Sequence, residues 1–311
     1  MIFVHGWPEL GILWRRQLEY FASLGWHCVA PDMRGYGNSS IPSDPRAYTM
    51  RDIVADMTAL FEFLKKPPAV WVGHDWGSPV VGSIAAQHSK ICRGVVLISV
   101  PYFPKGFALA NLVPLVDRTL YPVEKYPDGQ WDYFHFYQES FDQAAHDFEA
   151  NVEATMASIF HPGNPDAAGK PSPTATVRAN GGRYGAAHRA PAMARDASMI
   201  PDEDFHTLVE AFRRGGFNGP DAWYVNDAIN IAYAEHAPDR GRLTQPVLFL
   251  NGRWDVICDI TRSRLGEPMR AACPDLTVED IPGGHWLMLE RAVDVNRAIA
   301  RWLTANNLHD K

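Results

Sequence analysis

Cysteine is scarce: four residues, Cys28, Cys92, Cys258 and Cys273, in a chain of 311, with no Cys-x-x-Cys spacing among them. That pattern excludes a disulfide scaffold and a paired-cysteine zinc site. Three of the four lie in or beside apolar runs, as reduced, buried thiols do in a cytoplasmic protein. No apolar run reaches the roughly 18 residues of a membrane helix, so membrane insertion is not expected. Met1-Ile2-Phe3-Val4 carries no basic region of the kind that opens a secretory signal. Long basic runs are missing too. The doublets Arg15-Arg16, Lys65-Lys66 and Arg213-Arg214 stand isolated in a chain of net charge −7, which argues against nucleic acid as a partner. Neither a P-loop nor a metal-ligand spacing occurs, so no cofactor and no metal are expected. Gly35-Tyr36-Gly37 hints at a dinucleotide fingerprint, but no third glycine follows at the right spacing and Pro42 and Pro45 interrupt any helix.

What is present is alternation. Short β-branched runs at Ile2–His5, His27–Ala30, Ala69–Gly73, Gly94–Ser99, Pro246–Asn251 and Leu276–Ile281 are separated by helical patterns, the mark of an α/β fold with a mostly parallel sheet. Thr49 reads as an N-cap with Asp52 three residues on, and Ile53, Met57, Leu60 and Leu64 then share one helix face. Trp14, Leu18 and Phe21 do the same upstream, with Gly25 as the C-cap; Val295, Ile299 and Trp302 repeat the pattern near the end. The alternation breaks over 102–243, a stretch rich in aromatics with a Gly/Pro/Ala-rich loop from Pro162 to Pro191. An insertion between strands of a parallel sheet reads as a helical cap over the sheet's carboxyl edge, where ligands bind. The expected domains are a core of 1–101 with 244–311 and a cap of 102–243.

The strongest motif is Val70-Trp71-Val72-Gly73-His74-Asp75-Trp76-Gly77. A buried strand enters a tight turn with a glycine two residues to either side of Asp75, and a helix of small residues follows. This is the arrangement of a nucleophile elbow, in which the central side chain is pushed up and the next backbone N–H serves an oxyanion hole. The acid and histidine of a triad should follow in that order, each at a strand's carboxyl end. Asp255 in Gly252-Arg253-Trp254-Asp255 and His285 in Gly283-Gly284-His285-Trp286 meet both conditions, with Asp259 as the fallback acid. His5-Gly6-Trp7-Pro8 follows the first strand, where the second oxyanion donor belongs, so the Trp7 and Trp76 amides are the expected pair.

These segments, together with Pro31-Asp32-Met33-Arg34-Gly35-Tyr36-Gly37-Asn38-Ser39, resemble the epoxide hydrolase family of the α/β-hydrolase superfamily over nearly the whole chain. The resemblance implies an α/β-hydrolase fold in which two cap tyrosines hydrogen-bond the epoxide oxygen. Phe217-Asn218-Gly219-Pro220-Asp221-Ala222-Trp223-Tyr224 looks like the second tyrosine motif and points to Tyr224. Trp131-Asp132-Tyr133-Phe134-His135-Phe136-Tyr137 resembles the first and points to Tyr133, with Tyr137 a competitor on the same helical face. The indoles of Trp7, Trp76 and Trp286, with Phe134, are expected to form an apolar pocket. The implied reaction has Asp75 attack an epoxide carbon; His285, oriented by Asp255, then activates water to hydrolyse the ester to a diol. The partners are then a hydrophobic epoxide and water, with the protein a monomer or homodimer. Haloalkane and haloacetate dehalogenases share the core, with Trp76 a possible halide donor; the two tyrosines favour the epoxide. A catalytically incomplete small-molecule-binding protein is the more distant alternative. The family pattern also places a two-stranded hairpin before Ile2; either the start codon is misassigned, or the sheet lacks those strands and leaves His27–Ala30 near an open edge.

Overall fold

A computed structural model describes residues 1–308. Five parallel strands lie side by side in chain order: β1 (Ile2–Val4), β2 (Ala69–His74), β3 (Cys92–Ile98), β4 (Val247–Gly252) and β5 (Leu276–Ile281). The central strands read Val70-Trp71-Val72, Val95-Val96-Leu97-Ile98 and Val247-Leu248-Phe249-Leu250, and all of these side chains are buried. Continuous apolar runs of this kind belong to a sheet covered by helices on both faces. β5 is an edge strand; Thr277, Val278 and Asp280 are exposed along it.

The helices obey their local signals. α1 (Arg15–Ser23) ends with Gly25 at φ +90°, where Gly25 and Trp26 donate to Ala22 O and Phe21 O, a Schellman closure. α2 (Met50–Leu64) opens on Thr49, whose side chain accepts from the Asp52 amide. α3 (Gly77–Gln87) follows β2 directly.

The expected strand at His27–Ala30 does not form. It contributes a single parallel bridge, Val29 to Ile2, with Phe3 N donating to Val29 O (2.8 Å) and Val29 N to Met1 O (3.0 Å). Two causes are local: β1 offers only three residues to pair with, and Pro31 has no N–H to continue a ladder. The segment nevertheless lies on the outer side of β1, at the sheet's edge.

Between β3 and β4 the described chain contains helices and turns only. α4 (Asp132–Glu139) carries Tyr133 and Tyr137, and α5 (Asp202–Gly215) precedes the segment that carries Tyr224. The expected loop at 162–191 holds three short 3-10 turns. It rests on the carboxyl end of the sheet, so closely that a Cβ at Gly163 would fall 2.3 Å from Gly284 N.

Candidate active site

Asp75 takes φ +50°, a left-handed conformation that a residue with a Cβ adopts only when its surroundings impose it. Here close packing imposes it. A Cβ at Gly73 would meet Gly77 O at 2.2 Å, and one at Gly77 would meet Val4 O at 2.0 Å. Ser78 Oγ closes the turn by donating to Gly73 O (2.9 Å). The carboxylate is thereby lifted off the end of β2 into a cavity.

Both oxygens of Asp75 are met by expected site residues. Trp7 N donates to Oδ1 at 2.7 Å, and His285 Nε2 stands 3.3 Å from Oδ2. The Trp76 amide is adjacent, since a Cβ at Gly6 would fall 2.6 Å from it. Gly6 therefore keeps open the space in which the Trp7 and Trp76 amides converge. On its far side, His285 Nδ1 lies 2.8 Å from Asp255 Oδ2. The other oxygen of Asp255 accepts from Ile257 N (2.9 Å) and Cys258 N (3.1 Å). Burial pulls the Asp255 pKa upward, but the His285 charge, their hydrogen bond and the two amides hold it below the usual carboxylate range. Asp259, the fallback acid, is turned to Thr261 and Arg262 instead.

Burial likewise acts to lower the His285 pKa. The charge and hydrogen bond of Asp255, reinforced by those of Asp75, outweigh it and push the imidazole up to about 10. His285 thus stands as an imidazolium at neutral pH, 3.3 Å from Asp75 Oδ2. Cys258 lies close to Asp255 and His285, the three offering ligand atoms within 4.8 Å of one another. Asp255 and His285 are already bonded to each other, and burial pushes the Cys258 thiol well above its ordinary pKa.

Three tyrosines face the same cavity and form a tight cluster, with ring centroids of Tyr133, Tyr137 and Tyr224 4.9–5.9 Å apart. Burial raises all three well above the usual phenol pKa, which keeps them as neutral donors. Their hydroxyls differ. That of Tyr137 is fully buried without a hydrogen-bond partner, and the carboxyl that influences it most is Asp221. For Tyr133 the leading charge is Asp75.

The cavity is about 320 Å³ and is walled largely by apolar groups, among them Trp7, Trp286, Phe107, Val100, Ile159 and Ile257. Two expected pocket residues stand behind that wall. Phe134 is fully buried against Tyr224 (centroids 5.0 Å) and Trp76 (6.0 Å). The Trp76 indole is packed between Phe107 and Trp223, and its Nε1 has neither accessible surface nor a partner, so it cannot hold a halide. The ring directions follow from side-chain packing, which the spacing of motifs does not encode. The Trp7 indole does face the cavity, and its Nε1 is pinned to Asp221 Oδ1 at 2.7 Å.

One buried pair escapes the sequence reading. His74 Nδ1 lies 2.6 Å from Glu9 Oε1, and His74 Nε2 lies 2.8 Å from the backbone oxygen of His285; both side chains are fully buried. Ser99 Oγ donates to that same oxygen at 2.6 Å. Because a carbonyl only accepts, His74 Nε2 must carry a proton. His285 is thus held by its backbone as well as by Asp255. Replacing His74 by Ala is expected to cost about 3–5 kcal/mol of unfolding free energy, because it strands a buried carboxylate. The double change Glu9→Leu/His74→Leu should cost less than the single one. Urea unfolding of both variants checks this, and a double variant less stable than His74→Ala would refute the pairing.

The likeness to known proteins extends over nearly the whole chain. A family model described as alpha/beta hydrolase fold matches residues 1–292. Epoxide hydrolase A of Mycobacterium tuberculosis is 30% identical over 99% of this chain and 91% of its own length. The chain belongs to the epoxide hydrolase family of α/β-hydrolases. An epoxide hydrolase of Caballeronia sordidicola is also 30% identical, over 97% of this chain and 87% of that protein. The chain spans only half of the pig bifunctional epoxide hydrolase 2, at 27% identity. Among solved structures, epoxide hydrolase A from Mycobacterium thermoresistibile superposes with a TM-score of 0.77 at 28% identity, over 97% of this chain and 90% of that one. This hydrolase has no described helix long and apolar enough to cross a membrane.

Proposed function

We propose that the enzyme opens hydrophobic epoxides to vicinal diols through a covalent alkyl ester on Asp75. The observation that carries the reading is the convergence of a carboxylate in an elbow with two neutral tyrosines across one apolar cavity. In this reading residues 102–243 act as a cap that brings Tyr133 and Tyr224 over a core of 1–101 and 244–311. A serine attacking a saturated carbon would leave an ether that water cannot easily cleave. A carboxylate leaves an ester, which the same site can hydrolyse.

Asp75 attacks an epoxide carbon from the face opposite the breaking C–O bond, while Tyr133 and Tyr224 donate to the departing ring oxygen. Forming the ester removes the Asp75 charge, and with it two of the influences that hold a proton on His285. Its pKa then falls, its proton replaces the one the tyrosines gave to the ring oxygen, and the neutral imidazole, still oriented by Asp255, takes a proton from water. Water attacks the Asp75 carboxyl carbon and charge develops on the oxygen that faces the Trp7 and Trp76 amides. The diol leaves and the ion pair is restored.

A single turnover of styrene oxide in H2-18O tests the scheme. The label should enter the Asp75 carboxylate and reach the diol only in a later turnover. Label in the diol of the first turnover would overturn the covalent route.

A further inference from the structure

Arg183 has no partner among the described residues. It lines the cavity that holds Asp75, yet it makes no hydrogen bond or ion pair with any described residue. The side chain is half-buried, so part of the guanidinium faces a mostly apolar wall without a counter-charge. Its charge is felt at the site, since it acts on both Tyr133 and Tyr137. Arg183 also lines a second, more open depression on the other side of its loop, together with Arg189, Asn151 and Asn180, and no acidic side chain lines that depression. Arg189 is exposed and equally free of partners among the described residues. The carboxylate packed behind this loop, Asp147 next to Gly182, is already paired with His188 at 3.1 Å. Two uncompensated guanidinium groups thus run outward from the catalytic cavity, in a protein whose net charge is −7.

Resting on the epoxide reading above, we propose that Arg183 is an anion subsite and that the preferred substrates are epoxides bearing a carboxylate or a similar anionic group on an apolar arm. The ring would lie between Asp75 and the tyrosines, the arm along the apolar wall, and the anion against Arg183, with Arg189 in reach of longer arms. Arg189 also offsets the repulsion that an acidic protein exerts on an approaching anion. The bidentate fork of arginine suits a carboxylate better than a lysine would.

The test compares matched pairs: para-carboxystyrene oxide with its carboxamide isostere, and the terminal epoxide of undecenoic acid with that of its amide. In the unmodified enzyme kcat/KM should favour the acid in at least one pair, by about tenfold or more, the scale of one charge-assisted hydrogen bond. Arg183→Gln should remove that preference mainly through KM, and Arg183→Lys should restore part of it. If both neutral epoxides are turned over but neither acid is preferred, the subsite is refuted while the epoxide reading stands. If Arg183→Gln slows acid and amide alike, the guanidinium serves the tyrosines and not an anion, which also refutes it. No turnover of any of the four compounds would instead count against the epoxide reading itself.

Discussion

His285→Gln should give an enzyme that reacts once and stalls. Glutamine fills similar space and can still bond Asp255, but it cannot accept a proton from water. Alkylation of Asp75 needs only the carboxylate and the tyrosines, so the ester should form and accumulate. Mass spectrometry should find one substrate mass added on the peptide containing Asp75, with kcat down by at least about a hundredfold, the usual worth of a general base. Absence of an adduct under single-turnover conditions would show that His285 acts before the ester exists. A linked expectation concerns pH. The His285 pKa of about 10 depends partly on the Asp75 charge, which the ester lacks. The profile of kcat, which reports the enzyme-bound state, should therefore rise with pH at a lower midpoint than any His285 titration seen in the free enzyme. The sign also has a consequence for stability. A pKa raised from the ordinary 6.5 stabilises the fold below that pH, and the gain is lost as pH climbs through about 10.

The three residues of the proposed triad could be placed from sequence because each stands within four residues of a strand's carboxyl end. A strand's end fixes where the next side chain stands, so Asp75 after His74, Asp255 after Gly252 and His285 after Ile281 could be placed by motif alone. The parallel sheet was legible for the same reason: Val95–Ile98 and Val247–Leu250 are continuous apolar runs. Side-chain direction was not. Trp76 and Phe134 lie one residue from Asp75 and Tyr133, yet their rings turn away from the cavity because Phe107 and Tyr224 occupy that space. Glu9 and His74 are 65 residues apart, and nothing local in either announces the other. A signal did exist, since Glu9 follows the first motif at once and His74 sits inside the second. A charged residue wedged between apolar neighbours asks for a partner. The same question, put to Arg183 in its glycine-rich loop, has no answer within the described chain.

The tyrosines mark the limit of periodicity and give the second large expected effect. Tyr133 and Tyr137 are four residues apart on α4, so they point about 40° from each other, too little for sequence to choose between them. In the proposed scheme the buried, partnerless hydroxyl of Tyr137 favours Tyr133 as the donor. Removing a donor aimed at developing charge typically costs about a hundredfold or more. Tyr224→Phe and Tyr133→Phe should each fall in that range in kcat for styrene oxide, with little change in folding. The double variant should approach the loss expected when the ring oxygen departs unprotonated, and it should retain enough site integrity to bind a diol product. Tyr137→Phe should behave oppositely. Its hydroxyl is buried with no partner, so deleting it removes an unsatisfied polar group and should raise the unfolding free energy by about 1 kcal/mol, with kcat nearly unchanged. Stopped-flow alkylation rates alongside urea unfolding separate the two outcomes. A rate loss at Tyr137→Phe matched by none at Tyr133→Phe would transfer the role of ring-opening acid to Tyr137, and would mean that the helix turns on substrate binding.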